Sequence, residues 1–182
     1  MKQLILILFL FGVSIASGAP DYVTLYIVKV HAIVKPPESV EVQYRSFVNH
    51  LGLIESSNQW KVVNSSGCIG KFQFTQATLE MLGYIGITPE KFKVNPSIFP
   101  EALQEEALQH LMKYNQHYLD KFVKYIGQVI GGVLITKAGL LGAAHLAGVG
   151  GVQKYLTSSA NYTDCNGSSV QKYLKEFSGY SV

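Results

Sequence analysis

The sequence predicts a mainly all-α protein, one domain of several helices around a buried helix rich in glycine and alanine, with a short extended arm before it. Three observations carry this. Val40, Tyr44, Phe47, Val48, Leu51 and Ile54 recur at three- and four-residue spacing, as on one face of an amphipathic helix. Leu103, Ala107, Leu111, Tyr114, Tyr118, Phe122 and Tyr125 form a second, longer stripe. Lys137 to Ala147 is crowded with small residues, which let a central helix pack tightly against its neighbours.

In chain order, Met1-Lys2 precedes an apolar run from Leu4 to Ile15 that ends in Ala16-Ser17-Gly18. A charged start, a short apolar stretch and small residues are the pattern of a secretory signal peptide, here 1–18, with cleavage open after Ala16 or Gly18. The run is short for a membrane span. Residues 19–37 hold many β-branched and aromatic residues up to Pro36-Pro37, and read as an extended arm or edge strand open to a protein partner. From 38 to 182 the chain reads as the single domain.

After the first helix, Asn64, Ser65, Ser66 and Gly67 are turn formers. Thr75 is placed to cap a short helix through Leu79 and Leu82, stopped by Gly83. Thr88-Pro89, Asn95-Pro96 and Phe99-Pro100 punctuate the connection to the long helix, whose Glu101, Glu105 and Glu106 read as helix-start charge on a solvated face. Gly127 and Gly131-Gly132 break the chain again before Thr136 caps the small-residue helix. Asp164-Cys165-Asn166-Gly167 reads as a turn, since the later ligands of a calcium loop are missing. Val170, Tyr173, Leu174 and Phe177 mark a last helix.

The candidate chemistry centres on Glu55. It follows Leu51 by four and Val48 by seven, which turns it toward the apolar face, where a carboxylate is poorly solvated and the protonated acid is favoured. Such an acid can donate a proton to a glycosidic oxygen. Gly67 and Gly70 free the following loop to approach a ligand, and Gln73 offers a donor and an acceptor to a sugar hydroxyl.

Glu55-Ser56-Ser57, then Gly67-Cys68-Ile69-Gly70, then Phe72-Gln73-Phe74 resemble in order the motifs of soluble lytic transglycosylases and goose-type lysozymes. Ala143-Ala144-His145-Leu146-Ala147-Gly148 resembles the Ala-Tyr-Asn-Ala-Gly helix end of those families. The likeness spans Val40 to Leu156 and is nearest to exported bacterial lysozyme-like proteins. It implies a lysozyme-like domain that cleaves the β-1,4 bond between N-acetylmuramic acid and N-acetylglucosamine in peptidoglycan. Glu55 would be the catalytic acid, with Ser56, Gly67, Gly70, Gln73, Phe74 and His145 contacting substrate. With one carboxylate placed, the resemblance favours a lytic transglycosylase, whose single Glu serves as acid and then base. A water-using muramidase and a non-catalytic glycan-binding envelope protein are the other readings. His145 stands where the pattern has a tyrosine that contacts the acid, so it either holds Glu55 or is a buried neutral histidine satisfied by a carbonyl.

Composition narrows the partners. Lys and Arg number 15 against 12 Asp and Glu, and loss of Lys2 with the leader leaves about +2. That mild, unclustered charge argues against nucleic acid. No His-Glu-x-x-His or paired-cysteine pattern asks for a metal, and no cofactor is expected. The chain is expected in the periplasm or outside the cell, without a membrane span once the leader is removed. Cys68 and Cys165 are then free to pair, or to remain two separate thiols.

Overall fold

The computed structural model describes residues 39–164 and 167–182; the expected leader and arm lie outside them. The described chain is mainly helical: α1 (Val40–Ser56), α2 (Gln76–Met81), α3 (Pro89–Val94), α4 (Glu101–Leu119), α5 (Lys137–Ser158) and α6 (Val170–Glu176). Two 3-10 helices, Pro96–Ile98 and Asp120–Tyr125, follow α3 and α4. A small antiparallel hairpin, β1 (Val129–Ile130) with β2 (Val133–Leu134), turns at Gly131-Gly132 before α5. No helix of the described residues is long and apolar enough to cross a membrane.

Side-chain caps fix most of the helix starts. Ser39, Thr75, Thr88, Thr136 and Ser169 each accept a backbone N–H from the first turn of the helix that follows. The first helix buries Phe47, Val48, Leu51 and Gly52, while Val40 at its start is exposed.

The long stripe needs two corrections. Helix α4 stops at Leu119, and Phe122 and Tyr125 belong to the tighter 3-10 turn that follows. Its buried face carries Gln104, Ala107, Leu108, Leu111, Asn115 and Leu119, whereas Tyr114 and Tyr118 are 40% and 45% exposed. The inward face contains two amides, so a count of apolar residues alone points about one residue away from it. The helix-start acids differ from expectation as well: Glu101 and Glu105 hold the buried Lys71 ammonium at 3.0 and 2.9 Å.

The small-residue helix lies at the centre. A Cβ on Gly139 would fall 2.7 Å from the Leu174 carbonyl oxygen, and one on Gly142 would run into the Phe177 ring. These two glycines therefore let α6 lie directly on α5. Gly148 leaves helical geometry at φ 64° and ψ 171°, so the first segment of α5 ends at Ala147 and a second begins beyond it. Phe177 then reaches Phe47 of α1 at 4.8 Å between ring centroids, and burial of an aromatic of this size stabilises by roughly 1.5–3 kcal/mol. Through this contact the end of α6 is pinned to the middle of α1.

Candidate active site

Glu55 sits in the last turn of α1, just before Ser57 ends the helix in the left-handed region at φ 55°. Its side chain is 14% exposed and lines a cavity of about 410 Å³. The Tyr173 hydroxyl of α6 donates to Glu55 Oε1 at 2.7 Å. Burial first, and then the charge of Glu55, push the Tyr173 phenol well above its ordinary range, so it stays a neutral donor. One carboxyl oxygen is thus held in place.

The loop beyond α1 is built from backbone pairing and one side-chain hub. Ser56 Oγ donates to the Lys71 carbonyl at 2.8 Å, stitching the helix end to the loop. Asn64 Oδ1 accepts the N–H groups of Ser66 and Cys68, both at 2.9 Å, which closes the expected turn. Ile69 and Phe74 exchange backbone hydrogen bonds at 2.8 and 2.9 Å. Beneath them lies Gln104, fully buried, whose Oε1 accepts from Lys71 N at 2.7 Å. Its Nε2 donates to Trp60 O and Phe99 O, both at 2.8 Å. The amide of α4 thereby ties three stretches of chain under the cavity.

Of the residues expected at the site, Glu55, Gln73, Phe74 and His145 line this cavity, and Ser56, Gly67 and Gly70 do not. Gly70 is buried at φ +75°, where a Cβ would stand 2.6 Å from Gln104 Cδ. Its glycine is required by the amide below, a reason different from the approach of a ligand. Gln73 adopts φ 50° without being glycine and donates Nε2–H to the Gly70 carbonyl at 2.8 Å. Strain of this kind gathers at functional sites. Phe74 is only 2% exposed, and its ring packs edge-on against His145, so it supports the cavity wall more than it presents a face.

His145 Nε2 donates to the Phe72 carbonyl at 2.8 Å and lies 3.8 Å from Glu55 Oε1, too far for a hydrogen bond. Its Nδ1 is buried and has no partner among the described residues. The side chain that holds Glu55 is a tyrosine of α6, Tyr173, and not a residue at the end of the small-residue helix.

Sequence reasoning missed Tyr173, Gln104 and Asp164. A tyrosine on a buried stripe needs a partner for its hydroxyl, and that need was the legible signal for Tyr173. Asp164 lines the same cavity as Glu55 and accepts the Ser168 N–H at 2.7 Å. Cys68 lines it as well, while Cys165, with which it either pairs or stays a separate thiol, lies outside the described residues. Among the described residues no group of three or more His, Cys, Asp or Glu side chains could hold a metal ion. In comparisons with protein families, curated proteins and solved structures, no family model, no curated protein and no solved structure matches the chain.

Proposed function

We propose that this chain is a lysozyme-like enzyme that cleaves the β-1,4 glycan of peptidoglycan, acting as a lytic transglycosylase with Glu55 as its acid and base. The observation that carries the reading is a largely buried glutamate, held by a tyrosine hydroxyl and open to a cavity walled by polar side chains. Glu55 donates its proton to the glycosidic oxygen as the bond to C1 of the muramoyl sugar breaks. The carboxylate then takes the proton of that sugar's C6 hydroxyl, which attacks C1. The product is a 1,6-anhydro end, and Glu55 is returned to its starting state. The apolar leader at 1–18 fits export toward such a substrate, and the arm at 19–37 remains a candidate for a protein partner.

One observation favours a second reading. Asp164 faces the same cavity, and a carboxylate opposite the acid is what a water-using muramidase needs. Asp164 Oδ1 already closes its own turn on Ser168, which keeps the single-acid reading first.

Product mass separates the two. Purified mature protein is expected to release anhydromuramoyl fragments, one water lighter than hydrolysis products, and Asp164→Asn is expected to retain release. Reducing muramic ends, lost in Asp164→Asn, would establish the muramidase instead. Glu55→Gln keeps the shape without the proton, and release is expected to fall about 10²–10⁴-fold while polymer binding survives. Release by that variant at the wild-type rate would remove Glu55 from the chemistry, and binding without any release by the wild type would mark a non-catalytic module.

A further inference from the structure

Beyond His145 the cleft continues into a second cavity of about 450 Å³, and the two share Thr75, Thr78, Leu111, His145 and Leu146. One wall is α4, which offers Asn115 from within and Tyr114 and Tyr118 at the rim. The tyrosines stand one helical turn apart with ring centroids 4.8 Å from each other and are 40% and 45% exposed. The other wall is the break in α5, where Gly148 and Gly150 have nothing within 4 Å of the position a Cβ would take. This side of the groove is therefore open at the level of the backbone.

Asn115 is the telling residue. It is 4% exposed in the middle of α4, and its carboxamide makes no hydrogen bond with another described residue. Although the residue is buried as a whole, its amide is not sealed from solvent: it opens onto the second cavity, where water or a ligand completes its hydrogen bonds. A carboxamide pairs well with another amide, donor to acceptor and acceptor to donor. Aromatic rings at the rim suit the apolar C–H face of a pyranose. Resting on the glycan-cleaving function above, we propose that this second cavity is a saccharide subsite for the continuing strand, in which Asn115 reads the N-acetyl group of a sugar and Tyr118 carries its ring. The continuity of the two cavities makes the occupant the strand that enters the first.

The test uses full-length mature protein carrying Glu55→Gln, so that binding is measured without turnover. The probe is the six-sugar oligomer of N-acetylglucosamine, titrated by calorimetry, with the fully deacetylated oligomer as its control. Asn115→Leu keeps the volume of the buried side chain, and Tyr118→Ala alters an exposed one; melting curves check that both remain folded. Each is expected to weaken the acetylated oligomer about tenfold, the loss of one well-made contact. The preference for the acetylated over the deacetylated oligomer is expected to shrink in Asn115→Leu and to persist in Tyr118→Ala. Unchanged affinity in both variants would overturn the subsite and leave the function standing. Failure of the Glu55→Gln protein itself to bind any oligomer would overturn both.

Discussion

At the residue scale, the hydroxyl of Tyr173 and the carboxyl of Glu55 form the contact on which the site turns. A hydrogen bond to a charged group is worth about 1.5–3 kcal/mol, and the same energy spent on positioning an acid appears as rate. On the proposed function, Tyr173→Phe is therefore expected to lower kcat by about 10–100-fold with little change in KM, since the hydroxyl is directed at Glu55 and Tyr173 does not line the cavity. Steady-state kinetics on soluble glycan fragments check this, and a rise in KM at constant kcat would move Tyr173 into substrate binding. The inward placement of Glu55 was legible because helical periodicity fixes a direction for each residue. Tyr173 lies 118 positions later in the chain, and periodicity carries no information on which distant helix will end beside which.

At the element scale, the loop between α1 and α2 is shaped from below by α4. Gly70 and Gly67 both have positive φ, yet their surroundings differ. A Cβ at Gly67 would meet Pro89 Cγ at 3.4 Å, an ordinary contact, so Gly67→Ala is expected to cost only the backbone penalty of about 1–2 kcal/mol. At Gly70 the same atom would displace the Gln104 amide and its three hydrogen bonds, and Gly70→Ala is expected to cost about 2–4 kcal/mol. Denaturant titration of the two variants measures the difference, and equal costs would mean that Gln104 moves aside freely. The turn at Asn64, the caps at Thr75 and Thr136 and the end of a helix at Ala147 were legible, because each depends on a few neighbouring residues. The inward face of α4 was not. Gln104 and Asn115 are polar, and what they bind, or leave open, is supplied by other parts of the fold.

At the scale of the whole molecule, the described fold holds several protons more tightly than an unfolded chain would. Burial is the main cause for the phenols of Tyr44, Tyr155, Tyr173 and Tyr180, each raised above its ordinary value of 10.0. For Lys71 burial acts downward, but hydrogen bonds and charges of Glu105 and Glu101 outweigh it and leave the ammonium raised from 10.5. Below about pH 10 the folded and unfolded chains both carry these protons, and the associated stability is fully present. Above it the unfolded chain releases protons that the folded chain retains, so stability is lost as pH rises through the folded-state values. Each such group contributes a slope approaching about 1.4 kcal/mol per pH unit in that window. Thermal midpoints are therefore expected to fall steeply above about pH 10. Tyr173→Phe removes one titrating proton from a side chain only 2% exposed, and its midpoint is expected to fall less steeply over the same range, although it starts lower. Parallel curves for the two proteins would mean that Tyr173 ionises equally in both states, which would contradict its burial against Glu55.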